Sequence, residues 1–528
     1  MAHPHDPAVD GRGHTTLSVA SILSESAVRH SDNPAVYFNG DAITYRELWD
    51  QTRAYAGALR ARGIGRGDRV AIMIPNVPDF PRAYYAVLAL GAIVVPIHLL
   101  LKSEEISRTL RDAGADLLIA SATSLGEAAP AAAEAGVPLL TVLLPPDAHG
   151  DFARLEVEAS AAEPIKRIEP TGPLDAATIL FTSGTTGTPK GAVGSHFSII
   201  EQVHSGLIDG LQVQSGDVTF GGLPLFHTFG QTSVLNMAFR AGSAVILMPR
   251  FDGDQALELM VKHRATVFVG VPTMYVGLVE AARRTDARPP LRFANSGGAA
   301  LPVALLEAFE EAYGVPPHEG YGLTETAPTV SVNSVGKPTI PGSVGETLWG
   351  VDVAIADPDV EDRIEFIDEE DGLGEIVVRG HNVFKGYVGR EEATKEAIVD
   401  GWFRTGDLGT YRDGILTIVD RKKDMILRSG YNVYPTEVEA ALARHPKVAA
   451  SAVFGVADDI RGQEIHAAVL PREGTEIDPA EIIEFAREHV ASYKYPRVVH
   501  IVDELPLGAS GKILKRELQR MFDPAKAS

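Results

Sequence analysis

Residues 177–191 read ATILFTSGTTGTPKG, and no other stretch narrows the possible folds as much. An apolar, β-leaning run opens into Thr182, Ser183, Thr185, Thr186 and Thr188, interleaved with Gly184, Gly187 and Gly191. Lys190 follows Pro189. Glycine reaches backbone angles closed to other residues, so a strand ending in such a loop lets N–H groups close around an anion. The hydroxyls add donors and Lys190 adds a charge. That combination suits a polyphosphate. The loop is not a Walker P-loop, which requires G-x-x-x-x-G-K-[ST], because Lys190 sits between Pro189 and Gly191. A flexible Gly/Thr linker is the competing reading, and it leaves the preceding strand and the closing Pro-Lys-Gly unexplained.

A phosphate loop needs a sheet to hang from, and the flanking sequence supplies one. Between residues 17 and 150 helical and strand-like segments alternate. Thr44 and Glu47 have capping-box spacing at a helix start, residues 70–74 read as a strand, Ser103 is placed to cap a helix, and residues 115–119 read as the next strand. Such alternation favours a doubly wound α/β sheet. The alanine-rich residues 120–165 are expected to hold a peripheral helix and connections. After the loop come a helix near 195–207, strands at 218–225, 244–248 and 266–271, and from about 342 a small glycine-rich β subdomain. Beyond Asp420 the pattern becomes a compact α+β unit, with helices at 435–444 and 479–489 and strands at 449–456 and 464–471. At 528 residues the chain exceeds one typical core. The expected domains are a polar tail (1–16), a large N-terminal α/β domain (17–419), a hinge (420–424) and a small C-terminal domain (425–528).

A net charge of −22 argues against a nucleic-acid binder, which would present a basic field. Local cations must therefore meet any phosphate against an unfavourable global field. The absence of cysteine excludes disulfides and thiolate nucleophiles, so any thiol chemistry uses a substrate thiol. Residues 83–101 lack Asp, Glu, Lys and Arg for 19 positions, near the length that spans a bilayer. Gly91 and Pro96 interrupt them, so a helix followed by a buried strand is the better reading. No signal peptide is visible, and a soluble, cytoplasmic protein without stable membrane insertion is expected.

Five further stretches carry chemistry. Gly320-Tyr321-Gly322-Leu323-Thr324-Glu325 groups a ring that can stack on a purine with a carboxylate suited to a hard cation. Asp407, in the loop GWFRTGDLG, could accept from ribose hydroxyls or from its own turn. Asp420-Arg421-Lys422-Lys423-Asp424 packs five charges at the domain junction, where a solvated linker is the bland reading. The stretch SGYNVYPTEVE (429–439) lies just behind it. Lys512 follows a Ser-Gly turn in PLGASGKILKR (506–516).

In this order and at these separations the stretches resemble the adenylate-forming superfamily, most of all the fatty acyl-CoA ligases, from about residue 17 to 520. TSGTTGTPKG matches the phosphate loop, YGLTE the adenine and magnesium motif, and TGDLG the ribose aspartate. DRKKD matches the hinge, SGYNVYPTEVE the segment behind it, and GKILKREL the catalytic-lysine motif.

The resemblance implies ATP-dependent activation of a carboxylic acid to an acyl-adenylate, then displacement of AMP by the thiol of coenzyme A. Under it, Thr182, Ser183, Gly184, Thr185, Thr186, Gly187 and Lys190 hold the triphosphate. Glu325, with Thr182, binds Mg²⁺. Tyr321 and the backbone around Gly298 and Ala299 flank adenine, and Gly320, Gly322 and Thr324 also belong to the ATP site. Asp407 and Arg421 take the ribose, and Lys512 reaches the carboxylate and α-phosphate. The hinge matches Asp420 and the pivot Lys423, where some relatives carry Asp. Ser429, Gly430 and Tyr431 match the segment lining the thiol tunnel. His227, in PLFHTFG (224–230), matches a position bordering the acyl pocket, where it gates the thiol, orients the carboxylate or simply packs.

Amino-acid-activating relatives place an Asp near PLFHTFG, and none occurs between residues 221 and 251. Malonate-activating relatives carry an Arg shortly after a Pro-Thr pair, whereas Pro272-Thr273 runs on to Met274-Tyr275-Val276-Gly277. The expected acyl pocket (His227, Phe229, Val234, Val269, Val271, Met274, Gly298 and Val330) is apolar. It favours a medium to long aliphatic acid, with aryl acids second. Alternatives are an acyl-AMP ligase serving a carrier protein and a non-catalytic nucleotide-binding relative. Only 16 residues follow Lys512, so any carrier is expected as a separate partner. A homodimer remains open.

Overall fold

The computed structural model describes residues 17–145, 152–182, 189–369, 372–458, 460–472, 474–508 and 512–523. Three sheets organise these residues. The first has a parallel core, in which the strands Arg69–Met73, Ile93–Pro96, Leu117–Ser121 and Leu139–Val142 pair in parallel and Ala176–Thr182 joins beside Ile93–Pro96. Lys190–Ser195 then pairs antiparallel to Ala176–Thr182, with Thr182 opposite Lys190. The expected phosphate loop thus connects the last two strands of this sheet. Its residues Ser183, Gly184, Thr185, Thr186, Gly187 and Thr188 lie outside the described residues.

The second sheet is mixed. Val218–Gly221, Ala244–Leu247, Val267–Gly270, Phe293–Ser296 and Pro317–Gly322 form its parallel half. It changes hand at Thr329–Val332, which turns back antiparallel on Pro317–Gly322. Beyond Glu346–Thr347 the antiparallel strands Trp402–Arg412 and Ile415–Arg421 follow. One continuous set of strands therefore carries both Tyr321 and Asp407. The β-rich region expected from residue 342 extends this sheet.

A third, small sheet comprises Ile426–Arg428, Tyr431–Val433, Val448–Asp458, Gly462–Pro471 and Val498–Ile501. Helices Pro435–Leu442 and Pro479–His489 pack on it.

Local chemistry explains most boundaries. Thr44 accepts from Glu47 N while the Glu47 carboxylate accepts from Thr44 N at 2.8 Å, a complete capping box. Residues 83–101 resolve into the end of helix Asp79–Ala89, a left-handed Gly91 (φ 68°) and strand Ile93–Pro96. No helix among the described residues is long and apolar enough to cross a membrane.

Other expectations shift. Ser103 is the first helical residue and not the cap, because Glu105 reaches back to Lys102 N at 2.9 Å. The strand expected at 218–225 stops at Gly221, since Leu223 and Leu225 pack into the core beside Asn76, which binds Gly221 O, Leu223 O and Leu225 N. Among its described residues the alanine-rich stretch holds the helices Leu125–Ala135 and Leu155–Ala161 and the paired strands Leu139–Val142 and Ala153–Arg154, more order than expected.

Candidate functional site

The C-terminal ends of the parallel strands from two sheets face a common cavity of about 1180 Å³. Crevices at such strand ends are where open α/β sheets bind ligands. The cavity has two halves of different chemistry.

One half is polar. Thr182, Lys190, Tyr321, Gly322, Thr324, Glu325, Asp407, Arg421, Lys423 and Lys512 all line it. Glu325 accepts from the Tyr387 hydroxyl at 2.8 Å and is hydrogen-bonded by Thr182. Burial, more than any neighbouring charge, pushes its carboxyl upward from the usual range. Asp407 is buried, with both oxygens engaged. Tyr321 OH donates to Oδ2 at 2.7 Å, and Arg421 Nε lies 3.3 Å from Oδ1. The second contact follows from register, because Asp407 and Arg421 are directly opposed on adjacent strands.

Lys512 comes from the small C-terminal unit. Gly508 N–H donates to Lys512 O at 2.7 Å, and Leu514 N–H to Pro506 O at 2.8 Å, so a tight hairpin carries the lysine. The Lys512 side chain itself reaches into the large domain's cavity and passes Gly298. A Cβ added at Gly298 would stand 3.4 Å from Lys512 Cε, and Gly298 has φ +83°. Burial, with Arg421 adding to it, draws the Lys512 ammonium down to about 8.

The other half is apolar. Leu211, Leu223, His227, Phe229, Gly230, Met237, Val271, Val332 and Leu348 line it, with Gln202, Thr232 and Ser233 as its neutral polar groups. Among the described residues, the part of the cavity wall drawn from residues 202–298 carries no Asp, Glu, Lys or Arg side chain. Burial chiefly, with Lys512 and His98 assisting, holds His227 at about 4. It is therefore a neutral imidazole at physiological pH.

The expected residues divide accordingly. Gly320 also lines the cavity. Ala299 is exposed and does not. Val234, Val269, Met274 and Val330, expected in the acyl pocket, pack into the core behind its wall. Asp420 stands just outside, where its Oδ2 accepts from Thr436 N at 2.9 Å and ties the end of strand Ile415–Arg421 to helix Pro435–Leu442. Ser429, Gly430 and Tyr431 form an exposed turn away from the cavity, with Tyr431 packed 4.9 Å from Tyr493.

Sequence reasoning missed three features. Tyr387 bonds Glu325, and its ring lies 5.2 Å from Lys190 Nζ; an aromatic between glycines in FKGYVG was its signal. His98 lines the cavity with its ring 5.0 Å from Phe226. The helical wall around Gln202, Gly206 and Gly210 carried no motif.

No group of three or more His, Cys, Asp or Glu side chains placed to hold a metal ion occurs among the described residues. A lone carboxylate with a hydroxyl nonetheless fits Mg²⁺, which commonly takes one or two protein oxygens and completes its shell with phosphates and water.

Comparison with known proteins gives this geometry a context. The AMP-binding enzyme family profile matches residues 23–388, and the AMP-binding enzyme C-terminal domain profile matches residues 437–512. A long-chain-fatty-acid–CoA ligase from Bacillus subtilis is 34% identical, covering 95% of this chain and 94% of its own. A feruloyl-CoA synthase from Amycolatopsis is 37% identical, covering 92% and 96%. Among solved structures, ATP-bound MatB from Rhodopseudomonas palustris superposes with a TM-score of 0.87 at 32% identity, covering 96% of this chain and 99% of its own.

Proposed function

We propose, for a chain that belongs to the AMP-binding enzyme family and is an AMP-forming acid–thiol ligase, that it activates a medium- to long-chain fatty acid. The acid becomes an acyl-adenylate with release of pyrophosphate, and the thiol of coenzyme A then displaces AMP. The observation that carries this reading is the division of one cavity into a cation-lined half and an apolar half free of ionised side chains among the described residues.

A carboxylate is a poor electrophile, and attack by its oxygen on the α-phosphate converts it to a mixed anhydride with a good leaving group. Negative charge gathers on the α-phosphate and departing pyrophosphate, so preorganised cations supply most of the stabilisation. Lys512 is the cation placed between the two halves, where one ammonium can touch both the carboxylate and the α-phosphate. Lys190, held against Tyr387, faces the phosphates with Thr182. Glu325 and Thr182 would hold Mg²⁺, which when bound neutralises phosphate charge. Asp407 and Arg421 take the ribose, and Tyr321, pinned through its hydroxyl, presents its ring to adenine. Neutral His227 borders the carboxylate and can donate or accept a hydrogen bond without adding charge.

The second half-reaction needs the thiol to approach from the hinge side, where Lys512 now stands. We assign residues 420–424 as the hinge, with Lys423 as pivot, and Ser429, Gly430 and Tyr431 as the turn that replaces Lys512 in the thiol-accepting pose. A second substrate reading is an aryl acid, favoured by the feruloyl-CoA synthase likeness and by Thr232, Ser233 and Gln202 on the apolar wall.

The test is AMP and pyrophosphate release with ATP and Mg²⁺ from butyrate to stearate, and from ferulate and benzoate, with and without coenzyme A. Turnover that needs coenzyme A and peaks on an aliphatic acid is expected. A peak on ferulate would replace the fatty acid by the aryl reading. Adenylate formed but not passed to coenzyme A would point to a carrier protein.

A further inference from the structure

The apolar half of the cavity ends on an unusual helix. After His196–Ser205 the chain widens into a π-helical turn, Gly206–Gly210, closed by Leu211 N–H donating to Gly206 O at 2.7 Å. Such turns are rare and concentrate at functional sites. Both ends of this one are glycines that line the cavity. Neither needs to be glycine for its backbone. Gly206 is helical (φ −63°, ψ −36°), and Gly210 is not among the positive-φ residues. Glycine weakens a helix that alanine would support, so the gain must come from the missing side chain.

The surroundings show what that space adjoins. A Cβ at Gly206 would overlap the terminal methyl of Met237 on the facing helix. A Cβ at Gly210 would meet Val332 Cγ1 at 3.5 Å and Leu348 Cδ2 at 4.0 Å, an ordinary contact, so a longer side chain there would extend across the floor. The wall itself is fixed. Gln202 donates to Thr329 O and accepts from Thr329 N, both at 3.0 Å, locking the helix to the strand that carries Val332. Met237 is the adjustable part, because an unbranched thioether repacks easily.

We propose that Gly206, Gly210 and Met237 set the depth of the acyl chamber. The missing Gly206 side chain makes room for the Met237 methyl, the missing Gly210 side chain leaves a floor against Val332 and Leu348, and Met237 yields as the chain lengthens. The substrate class this selects is an elongated, unbranched apolar acid whose distal carbons reach that floor. The inference rests on the fatty-acid reading above and names the residues that bound chain length within it.

The experiment compares kcat/KM for hexanoate and palmitate, from AMP release with saturating ATP and coenzyme A, in the full-length wild type, Gly210→Leu and Met237→Ala. In Gly210→Leu the palmitate-to-hexanoate ratio should fall by about 100-fold, since two displaced methylenes at about tenfold each give that factor. In Met237→Ala the ratio should rise. A wild type that takes only aryl acids removes the fatty-acid reading and this inference together. A wild type that uses palmitate, with the ratio unaltered in both variants or both acids losing equally, overturns the inference alone. Met237→Ala deletes atoms without adding bulk, and its ratio decides the matter if Gly210→Leu fails to fold.

Discussion

Tyr321 gives its hydroxyl to Asp407 Oδ2 at 2.7 Å while Arg421 Nε stands 3.3 Å from the other oxygen. The proposed ribose aspartate is therefore oriented from two sides, by a residue of the parallel sheet's edge and by its own cross-strand neighbour. Removing the hydroxyl leaves a buried carboxylate oxygen without its donor, which costs about 1–3 kcal/mol. Tyr321→Phe should thus raise KM for ATP by roughly tenfold, since each 1.4 kcal/mol is tenfold, and leave KM for the acid little changed. Steady-state kinetics with each substrate varied checks this. An unchanged KM for ATP would show that the bond does not orient Asp407 for binding.

Lys512 should act in one half-reaction far more than in the other. Lys512→Ala should lower acid-dependent ATP–pyrophosphate exchange by about 100-fold or more, the scale for removing a preorganised charge from a transition state. Thioesterification of a chemically prepared acyl-adenylate should suffer much less. The pH dependence follows from the depressed pKa. The ammonium is held down to about 8, so the charge is present below that pH and lost as pH rises through it. The exchange rate at subsaturating ATP, which reports free enzyme, should decline above pH 8. Lys512→Arg should abolish the decline, because a guanidinium stays charged throughout. Exchange in Lys512→Ala at wild-type rates would refute the assignment.

The architecture and the polar half of this site were legible for a definite reason. Residues proposed to meet ribose or metal need particular functional groups on particular turns, so YGLTE and TGDLG show in the sequence, and the structure sets Tyr321, Glu325 and Asp407 on one cavity wall. The acyl wall needs only shape. Val269, Met274 and Val330 are as apolar as Val271 and Val332, and only the packing of helices on the sheet decides which pair reaches the cavity and which three support it. Gly206 and Gly210 look like ordinary helix-end glycines until their neighbours are known. Tyr387 was hidden differently, lying 62 residues beyond the carboxylate it binds. The shifted strand ends have a similar origin, since tertiary hydrogen bonds such as those of Asn76 claim backbone groups a strand would otherwise use.

One ion pair between the C-terminal unit and helix Pro272–Ala282 should be weak. Arg472, just past the strand Gly462–Pro471, lies 3.7 Å from Glu280 on that helix, with both side chains about a third exposed. Glu280 also pairs with Arg283 on its own helix at 3.0 Å. Pairs this exposed contribute at most about 1 kcal/mol. Glu280→Gln should reduce pyrophosphate exchange no more than about fivefold, and 0.5 M salt should narrow the gap between variant and wild type through screening. A loss of the Lys512→Ala size would mean that this pair holds the pose by itself.

Acid stability should depend on a histidine far from the chemistry. His196 is fully buried, its Nδ1 accepts from Val19 N at 3.1 Å, and Nε2 has no hydrogen-bond partner among the described residues. Burial draws its pKa down to about 4, against a partial counter-pull from Asp175. The unfolded chain binds this proton near pH 6.5 and the folded chain only near 4, so the stabilising difference is complete above pH 6.5 and drains away as pH falls through that window. By pH 5 the loss from this one group amounts to about 2 kcal/mol. A Gln at position 196 keeps an acceptor near Val19 and cannot titrate. The thermal midpoint of His196→Gln, followed by tryptophan fluorescence from pH 7.5 to 5, should therefore start lower than wild type and fall by several degrees less. Parallel profiles for the two proteins would assign the acid sensitivity to other groups.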